Sequence, residues 1–342
     1  MLLSVIYPVH VTRESKYIID RINKCLSNTI NCLPHAEHII VLSGDIKYTQ
    51  AAEEKLEIIQ NQLRKSSLKI CHWSTPTTPY SPGTARNVGI EASQGEHLLF
   101  WDIDLLGSPE LFSAIPKHQE TLLQQSQAFY MYPCLYLTPS YSKSFTTNFE
   151  QAYQDVIQLK TNTIEHIALA TSTLLCDKQH LVDLGGFDES FIGHMGEDLE
   201  LINRLAIAYN KYPLREDHLI DAPSKIPNQL KGFRRLFAQY ALPHFEQEQF
   251  SVHIAHATKL GSKYKKSQVS NMKYFQKRME DAIGLLTLAT CEQKLLGNAA
   301  WLNSMPPIKL TALERWKKKW QKLRRDPPLF FKDMFAKRKQ ND

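Results

Sequence analysis

The N-terminal third of the chain alternates between short apolar runs and amphipathic segments, and no other feature constrains the fold as much. "LLSVIYPVHV", "HIIVLSGD", "LKICHWS" and "GEHLLFWDID" are apolar and β-rich. Between them, "SKYIIDRINKCLSNTI", "QAAEEKLEIIQNQLRKS" and "TARNVGIEAS" read as helices, and the proline- and threonine-rich "TPTTPYSPG" reads as a loop. Strands alternating with helices of about 10–15 residues make βαβ units and a mostly parallel sheet, so the expected class is α/β. Pro8 is expected to end the first strand at a loop.

Further along, "AFYMYPCLYLT" and "ATSTLLCD" predict more strands, separated by a helical "NFEQAYQDVIQLKTNTIEHI". "KQHLVDLGGFDESFIGHMGEDLELINRLAIAY" predicts two helices around a glycine-rich acidic loop, and a longer helical pattern runs from Ser267 to about Ala300. At 342 residues, length alone suggests two domains or one large α/β domain with an appendage.

In open parallel sheets, ligands bind beyond the carboxyl ends of the strands. "LLFWDIDLLG" (98–107) sets Asp102 and Asp104 at such an end, inside an otherwise apolar run. Carboxylates are rarely buried without a partner. Two hard oxygen donors one residue apart can approach Mg²⁺ or Mn²⁺ together with phosphate oxygens. The plainer alternative is that they cap a helix at "SPELFSAI" or pair with a lysine.

Composition removes several classes. No stretch reaches the roughly 20 apolar residues of a membrane-spanning helix, and "MLLSVIYPVHV" reads as a first strand rather than a signal peptide. Six cysteines without C-x-x-C spacing argue against a disulfide framework or a zinc site and fit a reduced, cytoplasmic setting. The net charge of +6 is unevenly placed, because residues 301–342 hold 12 Lys/Arg against 4 Asp/Glu. That tail, basic with interleaved Trp, Phe and Leu, suits an anionic lipid surface; the alternative is a solvated basic helix packed on its own domain. No recognised nucleic-acid module surrounds it, so no nucleic-acid partner is expected.

Three motifs occur in order. "GTARNVGIEASQGEHLLFWDIDLL" resembles the loop–Ala-Arg-Asn-x-Gly–helix–strand–Asp-x-Asp succession of family 2 glycosyltransferases, and "SVIYPVHVTRE" resembles their first strand and nucleotide loop. "GGFDESFIGHMGEDLELINRL" (Gly185 to Leu205) is similar to the galactosyltransferase-type segment of capsule-polymer and β-1,4-galactosyl enzymes. This chain has His194-Met195-Gly196-Glu197-Asp198 where members commonly carry Trp-Gly-Gly-Glu-Asp. "FSVHIAHATKLGSKY" resembles the histidine-bearing strand that closes the family's metal site. The resemblance covers roughly residues 3 to 265.

It implies a GT-A fold: a nucleotide-sugar half at 1–106, an acceptor-binding, catalytic half at 107–265, and a helical, basic tail at 266–342. It also implies a Mn²⁺ or Mg²⁺ cofactor bound by Asp104, with Asp102 on the ribose or on the metal through water, and His256 as third ligand. His253 competes for that place, and an ordinary loop histidine is the plain alternative. Asp198 is implied as the general base that takes the proton of the attacking hydroxyl, with inversion, and Glu197 as a binder of acceptor hydroxyls. "GEDLELINRL" by itself is also an ordinary helix start. Pro8 and Val9 would lie beside the base through their backbone, and Asp45 would contact base or ribose. Arg86 suits a phosphate or else an ordinary ion pair. Gly185, Gly186 and Gly196 are expected to serve chain geometry.

The implied activity is transfer of a hexose or N-acetylhexosamine from a UDP-sugar to a growing bacterial surface polysaccharide, capsule or lipopolysaccharide. The acceptor would be a glycan or lipid-linked glycan, reached from the cytoplasmic face of the inner membrane by peripheral attachment. Two rivals are weaker. A sugar nucleotidyltransferase needs a glycine-rich, lysine-bearing loop that "YPVHVTRES" does not supply. A silent glycan-binding or scaffolding subunit has no need of Asp102, Asp104, Glu197 and Asp198 together.

Overall fold

The computed structural model describes residues 1–304 except 13, 14, 16, 63–66, 75–79, 161, 257–266, 284–287 and 289–295, together with Leu313, Trp316, Trp320 and Leu323. The expected alternation forms the first half: β1 (Leu3–Val11), α1 (Tyr17–Cys32), β2 (Glu37–Gly44), α2 (Ile46–Gln62), β3 (Ser67–His72), α3 (Pro82–Ala92) and β4 (His97–Phe100). The four strands are parallel neighbours in the order β3-β2-β1-β4. The chain therefore steps outward through β2 and β3 and returns to the other side of β1.

Right-handed crossovers require such a reversal to put the returning helix on the opposite face. The side chains show it. Val5, Tyr7 and Val9 of β1 pack with Ile22 and Leu26 of α1 and Leu56 of α2, while Ile6 packs with Ala85 and Ile90 of α3. Gly89 lets α3 come that close, since a Cβ there would lie 2.4 Å from the Ile6 side chain. Reversal points of this kind leave a crevice beyond the strands' carboxyl ends.

Pro8 does not end β1, which continues to Val11. The physical reason is local. Ile6 accepts a hydrogen bond from Trp101 on the β4 side, and residues two apart in a strand point the same way. Pro8 thus turns its missing N–H toward β4, whose pairing with β1 has already stopped at Ile6–Phe100. No ladder bond is lost.

Beyond β4 the chain turns through residues 101–104 into β5 (Leu105–Gly107), which belongs to a second sheet. There follow α4 (Pro109–Gln124), β6 (Phe129–Met131), β7 (Cys134–Leu137), α5 (Pro139–Ser144), α6 (Phe149–Ile157), β8 (Ile164–Ala168), β9 (Leu174–Asp177), α7 (Lys178–Asp183) and α8 (Glu197–Tyr209). A hairpin of β10 (Asp221–Ala222) and β11 (Lys231–Gly232) leads to α9 (Phe233–Glu246), β12 (Ser251–His253), α10 (Gln268–Ile283) and a short α11 (Ala300–Asn303). Antiparallel β9 and then β6 complete a six-stranded sheet, and the second sheet runs β5-β12-β7-β8.

Several expectations change here. "AFYMYPCLYLT" is two strands in two sheets, divided at Tyr132-Pro133, where proline cannot donate to a ladder. The helical reading of "NFEQAYQDVIQLKTNTIEHI" holds only to Ile157; Ile164–Ala168 pairs with β7 instead. Of the helix expected from Ser267 to about Ala300, Gln268–Ile283 is helical and 296–299 are not, while 284–287 and 289–295 lie outside the described residues. It is no appendage, because Phe275 and Met279 are fully buried and Phe275 packs edge-on against Phe233 at 5.1 Å. Residue 106 falls inside β5, and the six-stranded sheet draws strands from either side of it. Among the described residues no helix is long and apolar enough to cross a membrane.

Candidate active site

Asp102 and Asp104 occupy the turn by which the chain leaves one sheet and enters the other. Their carboxylates have different neighbours. Asp102 Oδ1 accepts from Arg86 Nη2 at 3.2 Å and its Oδ2 from the Ser172 hydroxyl at 2.9 Å. Arg86 Nη1 donates to Glu197 Oε1, also at 3.2 Å. Arg86 is buried, with its guanidinium over the Phe187 ring, and both terminal nitrogens are taken by carboxylates. A buried guanidinium between two acids meets its desolvation cost through both of them.

α3 carries Arg86 into place. Its N-cap Ser81 accepts from the Thr84 N–H and donates its hydroxyl to the Phe191 carbonyl at 2.8 Å, which ties the helix start to the glycine-rich loop. Asn87 holds the same loop from the next position. Its Oδ1 accepts the Phe187 N–H and its Nδ2 donates to the Phe187 carbonyl, both at 2.9 Å. Gly196 then turns the chain into α8 with φ of 112°, where a Cβ would lie 2.7 Å from the Phe191 ring.

The first two residues of α8 are Glu197 and Asp198. Burial raises the Glu197 carboxyl to about 7; the Asp198 charge adds to the rise and Arg86 opposes it. Asp198 is half-buried, and its Oδ1 accepts the Leu199 N–H at 2.8 Å. An ionised carboxylate is favoured at a helix N-terminus.

Asp104 faces two histidines. Its Oδ2 is 3.2 Å from His253 Nε2 and 3.5 Å from His256 Nε2, and one ligand atom from each of the three lies within 4.8 Å of the others. β12 runs antiparallel to β5 with His253 opposite Leu105, and Ile254 N–H donates to the Asp104 carbonyl at 3.2 Å. Burial would raise the Asp104 carboxyl, but the histidines and Arg21 outweigh it and hold it below the ordinary carboxylate range. One carboxylate oxygen and two imidazole nitrogens are a donor set that fits a divalent cation with open positions left over. His256 and His253, alternatives in the sequence, belong to one cluster. Asp102 is outside it.

The nucleotide-side residues gather at the carboxyl ends of β1 and β2. Val9 is fully buried in the core, so only its backbone can face a ligand; Pro8 is half-buried beside it. Asp45 is exposed, and its N–H donates to the Val11 carbonyl at 3.0 Å. His10 stacks on Tyr80 at 4.3 Å, and burial lowers its pKa to about 4 against the pull of Asp45. Sequence reasoning missed His10, Tyr80 and Ser172, along with Tyr17 and Arg21, which lie four apart on one face of α1 beside the histidines. That spacing, directly after the first strand, was the available signal.

Arg86 joins the two groups of acids, pairing with Asp102 on one side and Glu197 on the other. Tyr136 of β7 stacks on His253 at 4.5 Å, and the charges of Asp104, Asp102 and Asp198 add to burial in pushing its hydroxyl well above the usual range. The acids of the strand-end turn and those at the start of α8 are therefore linked through Arg86, at a reversal in strand order. The sequence profile of glycosyltransferase-like family 2 matches residues 4–281. The chain belongs to that family.

This family member has the GT-A type of fold, with a mainly parallel central sheet between helices. Similar solved structures include TarS of S. aureus, at 18% identity over 61% of this chain and 34% of that one, with a TM-score of 0.35. A shorter TarS in complex with UDP-GlcNAc matches at 18% identity over 61% of this chain and 54% of that one, TM-score 0.34. A Drosophila β1,4-galactosyltransferase 7 variant in complex with manganese, UDP-Gal and xylobiose matches at 13% identity over 60% of this chain and 61% of that one, TM-score 0.30. The chain thus spans between 34% and 61% of the length of these three. No curated protein matches it.

Proposed function

We propose that this glycosyltransferase moves a hexose or N-acetylhexosamine from a UDP-sugar, with inversion, to a hydroxyl of a growing bacterial surface polysaccharide, capsule or lipopolysaccharide. The observation that carries the reading is that Asp104 gathers with His253 and His256, while Asp102, two residues away, is joined through Arg86 to Glu197 at the start of α8, beside Asp198.

Asp104, His253 and His256 hold a divalent cation. Two imidazoles among three protein ligands favour Mn²⁺ over Mg²⁺, which prefers an all-oxygen shell. When bound, the cation supplies stabilisation for the charge that grows on the departing diphosphate. Asp102, fixed by Arg86 and Ser172, faces the ribose. Arg86 joins Asp102 to Glu197 and orders the donor and acceptor sides together. Asp198 accepts the proton of the attacking hydroxyl, and Glu197 binds the acceptor's other hydroxyls. The galactosyltransferase-like segment from Gly185 to Leu205 makes UDP-galactose, UDP-N-acetylgalactosamine and UDP-N-acetylglucosamine the first donors to try.

The acceptor is a glycan or lipid-linked glycan, met at the cytoplasmic face of the inner membrane. The basic-aromatic segment 306–342 lies outside the described residues except at four positions. Of these, Leu313, Trp316 and Trp320 are exposed, spaced along one helix face, and the two tryptophan rings are parallel at 5.9 Å. Exposed tryptophan among lysines and arginines suits an anionic headgroup layer.

The test is metal-dependent UDP release across a panel of UDP-sugars, in Mn²⁺, in Mg²⁺ and in chelator. Turnover of one donor with Mn²⁺ and none in chelator is expected; full activity in chelator contradicts the reading.

A further inference from the structure

The start of α1 packs against the far side of the histidine cluster, and the proposed function gives it no role. Arg21 Nη1 donates to the Ile254 carbonyl at 2.5 Å and its Nη2 to the Ala255 carbonyl at 2.7 Å. These two carbonyls belong to the segment that leaves β12 and carries His256. One turn earlier, the Tyr17 ring lies flat on the His256 imidazole, with centroids 4.1 Å apart and an interplanar angle of 16°. The Tyr17 hydroxyl is 3.1 Å from His256 Nε2, and Arg21 sits over the Tyr17 ring at 5.1 Å.

His253 is positioned by a strand ladder, but His256 lies past the end of β12. Its place must come from somewhere else. We propose that Arg21 and Tyr17 are positioning residues for the cation site: Arg21 clamps the backbone that carries His256, and Tyr17 fixes the plane of its ring.

Tyr17 has a second consequence. Its hydroxyl engages His256 Nε2, the same nitrogen that faces Asp104 at 3.5 Å. A cation entering between Asp104 and His256 must take that nitrogen away from Tyr17. The ring therefore helps binding by ordering the imidazole, while the hydroxyl opposes it by competing. These two effects separate by substitution. Tyr17→Phe keeps the stack and removes the competitor, whereas Tyr17→Ala removes both.

The inference rests on the proposed cation site, and one titration separates failure of either. Mn²⁺ is added to the full-length protein in the presence of UDP, and free Mn²⁺ is read by electron paramagnetic resonance. Arg21→Met should weaken Mn²⁺ binding by roughly 10-fold or more, the size usual for loss of a group that orients a metal ligand. Tyr17→Ala should also weaken it, and Tyr17→Phe should tighten it about 3- to 10-fold, the effect of one competing hydrogen bond. Arg21→Lys, which can still reach one carbonyl, should fall between wild type and Arg21→Met. Melting temperature and metal-free UDP affinity serve as controls for folding. If wild type binds no Mn²⁺, the cation site itself is refuted. If wild type binds and Arg21→Met and Tyr17→Phe bind equally well, the clamp is overturned and the site stands. Parallel weakening by Tyr17→Phe and Tyr17→Ala would overturn the competing role of the hydroxyl.

Discussion

Replacing Arg86 with methionine keeps most of the side-chain volume and removes the charge between Asp102 and Glu197. The two acids do not suffer equally. The Asp102 side chain is 39% exposed and can turn to water, whereas Glu197 is 7% exposed and cannot. Removing one partner of a buried ion pair costs about 3–5 kcal/mol. At about 2 °C per kcal/mol for a domain of this size, the melting temperature should fall by roughly 6–10 °C.

The cost should also depend on pH, with a sign that follows from Glu197. Its folded pKa, about 7, lies above its ordinary 4.5, so the folded state holds this proton more tightly than the unfolded chain does. Stability from this group is full below 4.5 and is lost as pH rises through about 7. Arg86 opposes the rise, so in Arg86→Met the pKa climbs further and the loss continues to higher pH, at about 1.4 kcal/mol per unit. Urea denaturation followed by circular dichroism at about pH 6 and about pH 8.5 reads the difference, whose slope is set by proton linkage. The deficit of the variant should be larger at the higher pH, and adding Glu197→Gln should recover part of it there. A deficit below about 1 kcal/mol at both pH values, or one independent of pH, refutes the reasoning, because exposed ion pairs behave that way.

Other outcomes follow from the same geometry. Asp198→Asn should keep UDP and Mn²⁺ binding while lowering kcat by about 10²- to 10⁴-fold, the usual contribution of a general base; unchanged turnover would remove Asp198 from that role. Phe275→Ala should cost about 3–5 kcal/mol by chemical denaturation, since the ring is fully buried; a near-neutral effect would mean that α10 is dispensable. His118 and His244 pack edge to face at 5.3 Å, and burial lowers their pKa values to about 3 and about 4. The folded state binds their protons less tightly than the unfolded chain, so stability is full above 6.5 and declines as pH falls toward 4. His118→Gln should flatten that decline in a melting series, and an unchanged slope would argue against it. Deleting residues after Met305 should release the protein from vesicles of anionic lipid without loss of donor hydrolysis; equal sedimentation with and without the tail would count against membrane attachment.

The parallel half of the fold was legible because its strands are apolar almost without interruption and its helices keep their period, so local pattern and final structure agree. Elsewhere tertiary context decided. "TNTIEHI" has helical spacing only until Ile164–Ala168 finds β7 as a partner. α9 contains Pro243, which hides it from a reading by breakers, yet most of its positions are buried. In the candidate site, the motifs pointed to Asp104, Glu197 and Asp198, but the partners of these side chains could not be read from them. Arg86 looked like a phosphate ligand or a surface pair and is instead buried between two acids that are 16 and 111 residues away. The choice between His253 and His256 had no answer in one dimension. One follows from a strand register and the other from a clamp supplied by α1, 235 residues upstream of it at Arg21.

The central claim is that Asp104, His253 and His256 hold a cation against a diphosphate in front of Asp198. Pulsed electron paramagnetic resonance of Mn²⁺ bound to the full-length protein with UDP reads this most directly. Nitrogen couplings from two imidazoles and a phosphorus coupling from the diphosphate should appear in one complex, and His253→Ala or His256→Ala should each remove one imidazole. A phosphorus coupling with no nitrogen coupling would show a cation carried by the nucleotide alone, and the account would fail.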